Sequence, residues 1–181
     1  LYYRLAVIEI EIPPLRERKD NLALQDALVA REINVVATDH CAFTKQQKLS
    51  SQDCRSIYPG IAGTEEMLAL IHTFAVASGR MSLSQMVRLL STGPARAFGL
   101  YPRKGSLKVG SDADLVLFDP EAVWTIESSA MHSAAGYSAF EGFKVAGKAV
   151  MTYLRGRLLM GDGIYLGKPG EGRFVPMGTS T

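Results

Sequence analysis

Only two cysteines, Cys41 and Cys54, occur in 181 residues, and they do not form a C-x-x-C pair. A disulfide framework is therefore not expected, and a reducing cytoplasm is the expected setting. Charge of one sign is also lacking: 20 basic residues face 18 acidic ones, a formal net charge of +2. They are spread along the chain without a basic stripe, which argues against a nucleic-acid partner. No apolar run reaches the roughly 20 residues of a membrane-spanning helix, so no membrane partner is expected. The first residues carry no secretory pattern of basic, apolar and small residues. Internal repeats are absent. What is present is 47% apolar content, enough for one or two domains with real cores.

The most informative stretch is Ile33-Asn34-Val35-Val36-Ala37-Thr38-Asp39-His40-Cys41. A short apolar run bounded in this way predicts a buried parallel strand over 33–37. A carboxylate at the C-terminal end of such a strand sits where barrel enzymes place their chemistry. If buried, Asp39 must be paired, hydrogen-bonded or bound to a metal. The blander readings are a helix cap or a structural ion pair. His40 follows Asp39 and is expected on the opposite face, as a packing or supporting histidine. Cys41 reads as a small buried hydrophobe.

Around this stretch, residues 5–12 predict a strand ended by Pro13-Pro14, and Asp20 or Asn21 can cap a helix carrying Leu24, Ala27 and Leu28. Residues 44–59 read as a loop or short helix. Gly60-Ile61-Ala62-Gly63 permits a turn, and Thr64 is the expected N-cap of a largely buried helix ending at Gly79, with Glu65 and Glu66 at its positive end. His72 on that helix is expected to pack or to bond the backbone. Ser82-Leu83-Ser84-Gln85 is a capping-box pattern opening a second helix through Leu90. Thr92-Gly93-Pro94 opens a third, ending near Gly99. The texture then changes to strands: 115–118, closed by Asp119-Pro120; 123–126, with Trp124 in a core; and a hairpin of 149–154 with 157–160 around Arg155-Gly156. Asp112 and Asp114 read as turn residues, and His132 as a loop residue without a pattern. Residues 161–181 are Gly-rich and read as a tail.

The order of these motifs resembles the dihydropyrimidinase and D-hydantoinase family of the amidohydrolase superfamily. Asp39-His40-Cys41-Ala42-Phe43-Thr44 with Gln47-Lys48 is similar to the end of that family's eighth barrel strand. Pro13-Pro14-Leu15-Arg16 resembles the preceding loop, and Gly63-Thr64-Glu65-Glu66-Met67 the following helix start. Tyr101-Pro102-Arg103-Lys104-Gly105 and Gly110-Ser111-Asp112-Ala113-Asp114 resemble the return from barrel to sandwich. Glu141-Gly142, Arg155-Gly156 and Gly172-Arg173-Phe174-Val175-Pro176 resemble its C-terminal end. The resemblance runs through most of the chain.

It implies an α/β fold: the C-terminal part of a (β/α)8 TIM barrel in residues 1–100, strands of a small β-sandwich in 101–160, and a tail in 161–181. It implies hydrolysis of a ring C–N bond in dihydropyrimidines or hydantoins, with a divalent metal cofactor, two zinc ions in the complete enzyme. Asp39 would be both metal ligand and general base, and Ile12, Pro13, Pro59 and Gly60 would line the substrate pocket. The complete protein would be a cytoplasmic homo-oligomer, dimer or tetramer. The family's H-x-H pair and separate bridging lysine have no counterpart here, since His40, His72 and His132 form no such pair and Lys45 and Lys48 directly follow Asp39. With its first residue Leu1 rather than methionine, the chain therefore reads as an incomplete C-terminal part, inactive alone and with apolar faces in need of cover. Ile12 stands where the hydantoinase pattern has a serine, and Pro59-Gly60 where it has an asparagine-glycine pair. An allantoinase- or dihydroorotase-like enzyme therefore stays open, as does a non-catalytic cytoskeletal adaptor of the same fold.

Overall fold

The computed structural model describes residues 26–28, 30 and 32–178. The expected strand over 5–12, the proline pair and the cap at Asp20 or Asn21 lie outside them. The chain divides into two units between Ile33 and Asn34. In the first, residues 26–28 are helical, and Ala30 N donates to Asp26 O at 2.7 Å.

The second unit opens with the segment expected to be a strand. Residues 34–39 are not assigned to a strand. A parallel strand needs hydrogen-bonding neighbours along its length. Among the described residues, its main-chain ties to other segments are Val36 N to Leu89 O at 3.4 Å and, further on, Cys41 N to Ile61 O at 2.9 Å. The latter accompanies a single parallel bridge between His40 and Ile61.

Helix α1 (Lys45–Lys48) follows, opened by a reciprocal capping box between Thr44 and Gln47. A 3-10 turn spans Cys54–Ser56. Helix α2 (Met67–Ile71) begins later than expected: Glu66 holds the cap position and makes no side-chain cap bond. It runs on through a π-turn at His72–Val76, and Gly79, at φ +75°, ends the run. The Ser82/Gln85 capping box opens α3 (Leu83–Val87) as expected. The second and third expected helices are continuous. A π-turn at Arg88–Thr92 joins α3 to α4 (Gly93–Ala97). Gly93 lies within the helical run and leaves room for the main chain of Asn34, since a Cβ there would lie 2.1 Å from the Asn34 carbonyl oxygen.

The remaining strands form one antiparallel sheet in the order β1 (Leu115–Thr125), β2 (Lys144–Leu154), β3 (Arg157–Gly161) and β4 (Ile164–Tyr165). The two strands expected on either side of Asp119-Pro120 are one strand. The register shifts between Asp119 and Val123, so the proline sits at an irregularity where no ladder N–H is needed. The Arg155-Gly156 turn has both residues at positive φ, +49° and +79°, as a tight hairpin requires. The expected tail supplies β4, and Gly178 N donates to Gly99 O at 2.8 Å.

Helix α2 packs on β2. Thr73 Oγ1 accepts from Ala146 N at 2.8 Å and donates to Ala69 O at 2.7 Å. The His72 ring is buried, with Nδ1 2.9 Å from Ala146 O, the backbone bond expected of it. Ala69, Ile126 and Val145 form the core between them, with Trp124 and Phe140 packed against it. Outside this core Phe74, Leu83 and Val87 are exposed, in keeping with the expectation of uncovered apolar faces.

Candidate active site

Asp39 lies at the end of the extended segment with φ +50°, a left-handed conformation that aspartate tolerates better than most residues. Its side chain is exposed, not buried as the strand reading required. The reason is local: among the described residues, no strand ladder encloses residues 34–39.

The loop carrying Pro59 and Gly60 is brought beside it. Gly60, at φ +81°, passes so close that a Cβ there would lie 3.0 Å from Asp39 O and 2.6 Å from the Cβ of Cys41. The Lys48 ammonium donates to the carbonyls of Tyr58 and Gly60, both at 2.5 Å. The Phe43 and Tyr58 rings stack with centroids 4.5 Å apart. The family resemblance implied Asp39 and Gly60 in one site, and their backbones are neighbours. Ile12 and Pro13 lie outside the described residues.

His40 turns its ring towards the start of α2. Its Nδ1 lies 3.2 Å from Gly63 N and 3.4 Å from Thr64 N. Both are main-chain donors, so Nδ1 carries the lone pair and the ring proton sits on Nε2. This backbone contact agrees with the expectation of a supporting histidine. Glu65 and Glu66 do not serve the helix end as expected. The Glu65 carboxylate accepts from His132 N at 3.0 Å and pairs with its Nδ1 at 2.9 Å. Glu66 is buried and accepts from Ser138 Oγ at 2.6 Å. A cleft of about 370 Å³ opens here, lined by His40, Ala62, Thr64, Glu65, Met131 and His132 among others. Sequence reading missed the Glu65–His132 pair because 67 residues separate the two.

Among the described residues, no group of three His, Cys, Asp or Glu side chains could hold a metal ion. Asp39 offers one carboxylate, and His40 has its Nδ1 engaged by the main chain. These residues do not by themselves make a metal centre. No helix among the described residues is long and apolar enough to cross a membrane.

The model of the amidohydrolase family matches residues 6–159. The chain belongs to the amidohydrolase family. Such proteins are generally metal-dependent. The chain is 43% identical over 165 residues to a D-hydantoinase of Ralstonia pickettii, covering 90% of this chain and 36% of that protein. Against a D-phenylhydantoinase of Escherichia coli O1:K1 the identity is 41%, with the same coverage. Among solved structures, a D-hydantoinase superposes with a TM-score of 0.84 at 44% identity, over 90% of this chain and 36% of that one. A dihydropyrimidinase from Brevibacillus agri NCHU1002 gives a TM-score of 0.84 at 36% identity, with the same coverage. The resemblance drawn from the motifs is thereby borne out. The chain spans about a third of the length of the curated relatives it matches.

Proposed function

We propose that this chain is the C-terminal part of a metal-dependent cyclic amidohydrolase that opens the ring C–N bond of dihydropyrimidines or hydantoins. The similarity to D-hydantoinases through 90% of the chain carries this reading. It is supported locally by the approach of the Gly60 loop to Asp39. In this reading residues 1–100 are the last βα units of the barrel, 101–160 belong to the sandwich, and 161–181 are the tail.

Asp39 is the one metal-ligating carboxylate that these residues contribute, and it serves as the proton acceptor. Its exposed position leaves it open to ligands from elsewhere in the longer protein. The metal, two zinc ions in this reading, requires those further ligands. Ile12, Pro13, Pro59 and Gly60 line the substrate pocket. Pro59 has no N–H to donate, so contacts at this loop fall to its carbonyls and to Gly60. The complete protein is a cytoplasmic homo-oligomer, dimer or tetramer, acting on a small cyclic amide or ureide.

The test is ring opening of dihydrouracil, hydantoin and allantoin by the full-length protein with its metal content measured. Turnover of either of the first two is expected. Turnover of allantoin alone would replace the substrate class, and failure on all three with metal bound would leave a non-catalytic role.

A further inference from the structure

We infer that His40 is a positioning residue: its imidazole fixes the Gly60–Thr64 loop against the segment that carries Asp39, and so sets substrate binding. The inference rests on the hydrolase reading above and assigns a part to a residue which that reading leaves without one.

The loop between Tyr58 and helix α2 is held at three places. At its near end Lys48 binds the carbonyls of Tyr58 and Gly60, and Phe43 stacks on Tyr58. In its middle Cys41 N donates to Ile61 O at 2.9 Å. At its far end the His40 Nδ1 receives Gly63 N and Thr64 N.

The far end needs this acceptor. Gly63 and Thr64 lie ahead of the cap position of α2, so their amides belong to the approach to the helix, and a main-chain N–H there still needs an acceptor. No side chain of the two residues that follow supplies it, since Glu66 makes no cap bond. Glu65 is turned to His132 and Glu66 to Ser138. The approach to α2 is therefore held by an imidazole from 23 residues upstream. That imidazole is attached to the residue directly after Asp39. The His40 side chain thus adds a tie between the loop's far end and the Asp39 segment to the main-chain bond that joins them at Ile61. Only a residue with an acceptor at the δ position can replace it. Asparagine has one in Oδ1, whereas leucine and phenylalanine have none.

The experiment compares H40N and H40L in the full-length protein by amide hydrogen exchange and by steady-state kinetics on the ring substrate. In H40L, exchange at Gly63 and Thr64 is expected to rise about tenfold, with core amides of β1 and β2 unchanged. KM is expected to rise about tenfold, with kcat within about threefold and bound metal per protein unchanged. H40N is expected to restore both exchange and KM to within about threefold of wild type. If H40L fails to fold, H40F is compared in its place. The inference is overturned if H40N is as impaired as H40L, if exchange at Gly63 and Thr64 does not change, or if the metal is lost. A wild-type protein that opens no cyclic amide would sink the hydrolase reading and with it the substrate role. The exchange comparison would still decide separately whether His40 holds the loop.

Discussion

Gly60 stands so close to Cys41 that a Cβ on the glycine would lie 2.6 Å from the Cβ of the cysteine. Neither atom can swing away, because both are fixed to main chain. Gly60 also has φ +81°, where an L-residue is strained. The two effects act in the same direction, so G60A is expected to displace the loop rather than be absorbed. A loss of about 2–4 kcal/mol is expected in denaturant unfolding of the full-length protein. KM is expected to rise with it. A G60A protein with wild-type stability and KM would show that the loop is not packed against the Asp39 segment.

Gly147 is the corresponding point in the core. A Cβ there would meet Phe118 Cζ at 2.3 Å and His72 Nδ1 at 2.7 Å, with φ at +92°. His72 is buried and holds Ala146 O at the same place. G147A therefore forces apart the contact between α2 and the sheet. A loss of about 3–5 kcal/mol is expected, read as a fall in the denaturant midpoint.

The turn before β1 gives a pH dependence. The Lys104 ammonium, with Arg103 beside it, holds the Asp112 carboxyl below the usual carboxylate range. For Lys104, burial acts downwards, but its bonds to Asp112 and Asp114 outweigh this and raise it. A depressed carboxyl stabilises the fold above its unfolded value of about 3.9, and this is lost as pH falls through the folded value. A raised ammonium stabilises below about 10.4, and this is lost as pH rises through its folded value. The difference in stability between wild type and D112N should therefore form a plateau across the neutral range and shrink at both ends. Unfolding midpoints measured across pH check it; a flat difference would show that the turn is held by other contacts.

The parts of the fold that sequence reading reached are those with local causes. Arg155-Gly156 specified its hairpin because two positive φ values admit few residue pairs. Ser82 and Gln85 specified a helix start. The same pattern at Thr44 and Gln47 went unrecognised because no apolar periodicity follows it in a helix of four residues. Asp119-Pro120 was expected to end a strand, yet a register shift lets β1 continue to Thr125. The run Ile33–Ala37 has the composition of a buried strand, but composition does not supply hydrogen-bonding neighbours. Asp39 and Gly60 could be paired through the family resemblance. The bond from His40 to Gly63 and the pair of His132 with Glu65 could not, since they join segments with no shared local pattern.

Asp39 provides the sharpest test of the proposed chemistry because its backbone separates charge from conformation. At φ +50° an alanine would add strain of its own. Asparagine is at home in this region and has nearly the same shape. D39N therefore removes the carboxylate while leaving the turn unstrained. Since Asp39 is exposed, no buried hydrogen bond is lost with the charge. With metal removed from both proteins, full-length D39N is expected to match the stability of wild type to within about 0.5 kcal/mol. Its ring-opening rate should fall by a factor on the order of 10³, and its bound metal should fall with it. A D39N protein that retains both metal and turnover would remove Asp39 from the site. One that keeps its metal but loses turnover would leave the carboxylate only its proton-accepting role.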